Sequence, residues 1–174
     1  MLTLIAIMEK VPSYCSCEVL ILGCGNILFG DDGFGSMVAD EFLKNYVLPE
    51  NTCIINAGSS VRNILFDIAL SEKRPGKIII VDAIDAGRAP GEIFELPIDQ
   101  IPERKIDDFS MHQLPTSNML KELKEFCKVD IVVIACQADK IAEEVTTLVS
   151  PKIADAIPEV CKRLAKIINN HKNQ

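Results

Sequence analysis

"EVLILGCGNILFGDDGFG", residues 18–35, opens with an apolar run of buried-strand length that is stopped by glycine. The stretch that follows, "FGSMVADEFLKNY", places Phe34, Val38 and Phe42 on one face at helical spacing, with Met37 beside them. The segment therefore predicts a strand, an acidic glycine loop and a helix, the opening unit of an α/β fold. A dinucleotide loop would read G-x-G-x-x-G, but after Gly23 and Gly25 the sixth position is Leu28, and Gly30 falls two residues late. Asp31 and Asp32 precede the helix start, where two carboxylates would repel a pyrophosphate although either can cap helix N–H groups. No G-K-[ST] follows, so a P-loop is excluded as well. The loop suits a cation or a Lewis-acidic group better than a phosphate, and no nucleotide cofactor is expected.

Outward from this unit the same alternation continues. "TCIINAG" (52–58) predicts a second strand, "VRNILFDIAL" (61–70) a helix and "GKIIIVDAI" (76–84) a third, deeply buried strand. The pattern loosens between Asp85 and Pro115, where "GEIFELP" reads as a short edge strand able to run antiparallel. A helical stripe with Leu120, Leu123 and Cys127 resumes at about 117, followed by the core strand "VDIVVIAC" (129–136) and a last helical region, "SPKIADAIPEVCKRLAKIINN". Pro158 is expected to start the main part of that last helix, since proline is tolerated in a first turn and costly in an interior. Central strands that are apolar throughout predict a three-layer α-β-α sandwich around a twisted, mainly parallel sheet of about five strands.

The 174 residues suffice for one domain, expected at 18–171 after an N-terminal extension at 1–17. With 25 acidic and 18 basic residues, a net charge of -7 and no tryptophan, the chain lacks the basic surface and stacking aromatics of a nucleic-acid binder. Met1 to Met8 is too short for a secretory leader and no run approaches the roughly 18 apolar residues of a membrane span, which predicts a cytoplasmic protein. Seven cysteines form an odd set without repeated spacing, so reduced and mostly buried thiols are expected. Cys15 and Cys17 in "YCSC" can in principle hold a soft metal, but without a second pair they read as part of a mobile extension.

The carboxyl ends of strands in a doubly wound sheet face a common crevice. Asp31 and Asp32 follow the first strand, Asp82 and Asp85 end the "IIIVDAID" strand, and His112 lies in the loop leading to the next crossover. Asp82 follows four apolar residues, where an ionised carboxylate is costly unless it is paired, hydrogen-bonded or metal-bound. One histidine with two carboxylates suits a borderline divalent ion such as nickel or zinc. A serine nucleophile is disfavoured, because no G-x-S-x-G elbow exists and Ser59 and Ser60 lack an assigned base. Residue identities alone thus lead to a metal-dependent hydrolase or a metal-sensing module.

Taken together, "LGCGNILFGDDGFG", "NAGSS", "IIIVDAIDAG", "PGEI", "SMHQLP" and "LVSPKIADAIP" resemble the hydrogenase maturation endopeptidases, from about Glu18 to Asn169. The resemblance implies a peptidase that removes a C-terminal peptide from the large-subunit precursor of a nickel-iron hydrogenase after nickel insertion, with the nickel carried by the substrate. It carries the metal-contacting and catalytic positions onto Asp32, Asp82 and His112, with Asp31 as the adjacent alternative to Asp32. The expected partner is that precursor, the F420-reducing type among the candidates, met by a monomer whose crevice must admit the end of a folded protein. A nickel-binding chaperone without proteolytic activity and an autonomous metallohydrolase are the competing readings.

Overall fold

The computed structural model describes residues 11–98 and 117–171. Five strands, β1 (Val19–Cys24), β2 (Thr52–Gly58), β3 (Lys77–Ile84), β4 (Ile93–Leu96) and β5 (Asp130–Gln137), form one sheet in the order β2-β1-β3-β5-β4. The β1–β2, β1–β3 and β3–β5 pairs are parallel, whereas the edge strand β4 runs antiparallel to β5. This is the expected α/β sandwich with its antiparallel edge.

Alternate side chains of the strands enter two separate cores, as the pleat requires. Val19, Ile21, Ile79 and Val81 pack on one face against α1 (Phe34–Asn45) and α4 (Pro151–His171). Leu20, Leu22, Ile78 and Ile80 pack on the other against α2 (Val61–Leu70) and α3 (Ser117–Glu125). Phe34, Val38 and Phe42 are all buried, so the helical face read from the opening segment is the face that meets the sheet.

The chain leaves β1 toward α1 on one face and reaches β3 from α2 on the other. Adjacent β1 and β3 thereby create a switch point, and the crevice outside their carboxyl ends is where ligands of such sheets bind. The β1–β2 register slips between Gly23 and Cys24, at the mouth of that crevice.

Three expectations are corrected. Pro158 lies inside α4, and Pro151 is the proline at its start. An interior proline forfeits a backbone hydrogen bond, but Ile153, Ala156, Val160, Cys161, Leu164 and Ile168 bury one stripe of this helix, and that packing outweighs the local penalty. The cysteines are likewise not all reduced: Cys17 and Cys53 form a disulfide across 36 positions with 6.0 Å between their Cα atoms. Cys15 is buried in the core beneath α2, and the Tyr14 hydroxyl donates to Asp67 Oδ2 at 2.5 Å, so "YCSC" is docked on the domain where a mobile stretch was expected. Among the described residues no helix is long and apolar enough to cross a membrane.

Candidate active site

The site is built where the glycine loop turns from β1 into α1. Gly23 and Gly35 let backbone meet backbone: a methyl group on Gly35 would lie 2.0 Å from the Val81 carbonyl oxygen, and one on Gly23 would lie 2.2 Å from the Gly35 carbonyl oxygen. Close helix-to-strand packing, which a dinucleotide fold obtains from its third glycine, is obtained here from Gly35. Gly25 adopts φ +103° and accepts a hydrogen bond from the buried Ser36 hydroxyl at 2.8 Å through its carbonyl, while its N–H donates to Gly58 across the mouth of β2 at 3.1 Å. The tip of the loop is thus fixed from both sides.

Gly25 is also the point at which two of the three expected site residues meet. A methyl group on it would lie 1.7 Å from the Asp32 carbonyl oxygen and 3.5 Å from Asp82 Oδ1. Asp32 is 4% exposed and accepts the Asn26 N–H through Oδ2 at 2.8 Å, which folds its carboxylate back over the glycine loop. Asp82, fully buried near the end of β3, accepts the Ala83 N–H through Oδ1 at 2.9 Å. Gly33, which has no side chain, occupies the N-cap of α1. His112 lies outside the described residues.

Asp31 does something different from its neighbour. It is 2% exposed, and its carboxylate accepts three backbone hydrogen bonds, from Ser150 at 2.7 Å, Asp139 at 3.1 Å and Lys140 at 3.2 Å. The brace ties the segment after β5 to the glycine loop. Two bridges extend the tie, Phe29 with Thr146 and Gly30 with Ile141. Of the two adjacent aspartates, Asp31 is committed to holding the architecture, and Asp32 is the one placed beside Asp82.

Asp85 and Gln137 form a second brace on the other side. Gln137, buried at the end of β5, accepts N–H groups of Ala86 at 2.8 Å and Arg88 at 3.0 Å and donates to Asp85 Oδ1 at 3.1 Å and the Ala138 carbonyl at 2.9 Å. Asp85 therefore shapes the loop after β3. The expected core strand stops at Cys136, one residue short of Gln137, which closes β5. The usable signal was the same as for Asp82, a polar side chain closing an apolar run.

The nearest thiols are chemically quiet. Burial, reinforced by the negative charge of Asp82, pushes the Cys24 thiol well above its ordinary range, and burial pushes Cys136 up to about 12 with Asp31 and Glu159 adding to it. Neither supplies a thiolate nucleophile near neutral pH. Carboxylates are what this end of the sheet offers: hard oxygen donors and proton acceptors. Among the described residues no three His, Cys, Asp or Glu side chains gather as a metal site.

Comparison with known proteins assigns the architecture to a lineage. The family model for HycI, hydrogenase maturation protease, matches residues 37–167, a span that begins after the glycine loop and takes in Asp82 and His112. A Methanocaldococcus jannaschii protein carrying the name hydrogenase maturation protease is 37% identical over 154 residues, covering 83% of this chain and 97% of that protein. The coenzyme F420 hydrogenase subunit delta of Methanothermobacter thermautotrophicus is 35% identical over 151 residues, covering 84% and 92%. The crystal structure of a [NiFe] hydrogenase maturation protease from Thermococcus kodakarensis superposes with a TM-score of 0.68 at 27% identity, over 87% of this chain and 92% of that one. The strand order, the acidic glycine loop and the buried aspartate of β3 thus sit in a chain that belongs to the hydrogenase maturation protease family.

Proposed function

We propose that the protein is the endopeptidase that removes the C-terminal peptide of a nickel-iron hydrogenase large-subunit precursor once nickel is in place, and that Asp32, Asp82 and His112 meet that substrate-borne nickel. The observation that carries the reading is the convergence of two buried aspartates on the Gly25 turn at the sheet's switch point, Asp32 through its backbone carbonyl and its carboxylate's bond to Asn26 and Asp82 through Oδ1, while Asp31 is occupied by three backbone N–H groups. Buried carboxylates need a cation or donors to offset their lost hydration, and nickel brought in by another protein supplies a cation only when the correct substrate is loaded.

On this reading the metal is part of the substrate and acts first as a recognition element that sets the scissile peptide beside the carboxylates. Hydrolysis adds water to the peptide carbonyl carbon and breaks the C–N bond. Asp32 or Asp82 takes the water's proton and the departing amine ends protonated. The likeness to a coenzyme F420 hydrogenase subunit favours a precursor of the F420-reducing type as partner.

The test is incubation of the purified protein with nickel-loaded and nickel-free precursor, followed by mass spectrometry of the large subunit. The expected result is loss of the C-terminal peptide from the loaded form only, abolished by Asp32→Asn, by Asp82→Asn and by His112→Ala. Equal cleavage of both forms removes nickel recognition. Precursor bound but never shortened identifies a chaperone.

A further inference from the structure

We propose that an apolar ridge made by Ile27 and Leu28 of the glycine loop and by Val145 and Leu148 of the segment after β5 is the surface on which the substrate protein docks, through an apolar stretch flanked by basic side chains. The inference rests on the peptidase reading and extends it to the contact that brings the substrate in.

Four large apolar side chains stand in solvent here, at 54% exposure for Ile27, 47% for Leu28, 71% for Val145 and 83% for Leu148. They belong to two segments that the fold holds edge to edge. Thr146 N–H donates to the Leu28 carbonyl at 2.8 Å and Gly30 N–H donates to the Thr146 carbonyl at 2.9 Å. A methyl group on Gly30 would strike the Leu148 carbonyl oxygen at 2.6 Å, so that glycine is what lets the two segments close. The Asp31 carboxylate clamps the same pair from beneath by way of Asp139, Lys140 and Ser150. A pre-ordered surface of this kind costs little conformational entropy when a partner binds.

Position and charge select the occupant. The ridge shares its loop with Asp32, whose carboxylate is fastened to Asn26 immediately before Ile27, so whatever rests on the ridge is delivered to the site. Among the exposed charges of the same segment Asp139 and Lys140 offset one another and Glu143 and Glu144 leave it acidic, in a chain of net charge -7. Acidic side chains flanking an apolar centre call for a partner with an apolar centre and a basic rim. A second copy of this chain, acidic in the same places, is repelled by that arrangement.

The experiment measures both Kd and steady-state cleavage for the nickel-loaded precursor with the full-length protein. The double variant Leu28→Ser/Leu148→Ser and, separately, Val145→Ser are compared with Leu70→Ser and Phe126→Ser, which alter exposed apolar residues elsewhere (83% and 78%). The double variant is expected to raise Kd and KM about tenfold while kcat stays within about threefold, Val145→Ser to raise them about threefold, and the controls to match wild type. Glu143→Gln/Glu144→Gln is expected to raise Kd about threefold through slower association. Unchanged unfolding midpoints establish that the ridge variants are folded, as their exposure requires. Wild-type Kd and KM in the ridge variants overturn the proposal, as does a wild-type dimer that Leu148→Ser dissociates. If the wild type binds the precursor without shortening it, the proteolytic reading fails while the ridge is still judged by Kd. If the wild type does not bind at all, both fail.

Discussion

The Ser150 N–H donates to Asp31 Oδ1 at 2.7 Å across 119 positions of sequence, so the residue just before α4 is fastened to the loop that carries Asp32. With the bonds from Asp139 and Lys140, one buried carboxylate closes the rim of the crevice. Asp31→Ala leaves three backbone donors without it and is expected to cost about 2–4 kcal/mol in urea unfolding. Asp31→Asn keeps an acceptor for Ser150 but turns an amide N–H₂ toward Asp139 and Lys140, and should lose less.

Two glycines separate packing from conformation. Gly35→Ala drives a methyl group to 2.0 Å from the Val81 carbonyl, backbone against backbone, and is expected to abolish soluble expression or to cost about 3 kcal/mol or more. Gly87→Ala meets nothing within 4 Å and is strained only by its φ of +70°, so a loss of about 1 kcal/mol is expected from the same unfolding assay.

The Cys17–Cys53 bridge ties the segment entering β1 to the edge strand β2 and encloses the whole glycine loop and α1. Closing a loop of this length stabilises by about 3–4 kcal/mol on the chain-entropy model. Reductant, or Cys53→Ser, is expected to lower the unfolding midpoint, and intact mass after alkylation should show two fewer accessible thiols without reductant than with it.

Buried thiols and Tyr14 set an alkaline limit. Burial is the main cause that lifts Cys136 from 9.0 to about 12, and burial followed by the hydrogen bond to Asp67 lifts Tyr14 from 10.0 to about 12. A folded-state pKa above the unfolded one favours the protonated native form. That stabilisation is complete below about pH 9 and is lost as pH rises toward 12. Unfolding midpoints are expected to hold to about pH 8.5 and then fall, and iodoacetamide at pH 8 should modify partly exposed Cys127 before Cys24, Cys136 or Cys161.

What was legible in the sequence follows from what each residue had to do locally. Phe34, Val38 and Phe42 announce a helix face by spacing alone, and Asp82 announces itself because a carboxylate closing an apolar strand is expensive. Asp31 and Asp32 look alike in sequence. Their roles diverge only because Asp31 meets backbone N–H groups of residues 139, 140 and 150, and a backbone donor leaves no mark in a sequence. The Cys17–Cys53 pair goes with a segment that lies against the domain, where Cys15 is buried and Tyr14 bonds Asp67, a tertiary arrangement that cysteine spacing does not encode. Pro158 obeys no local rule because α4 is held by its buried stripe, and local propensity yields to packing. The ridge at Leu28 and Leu148 leaves no mark in the sequence, because exposure is a property of the folded chain.

On the proposed function, Asp32 and Asp82 meet a nickel ion that arrives inside another protein. The most direct measurement of this is time-resolved mass spectrometry of one large-subunit precursor, nickel-loaded and nickel-free, incubated side by side with the purified protein. Release of the C-terminal peptide from the loaded precursor alone, lost in Asp82→Asn, is the result expected. Cleavage of the nickel-free precursor at the same rate, or undiminished cleavage by Asp82→Asn, would contradict it.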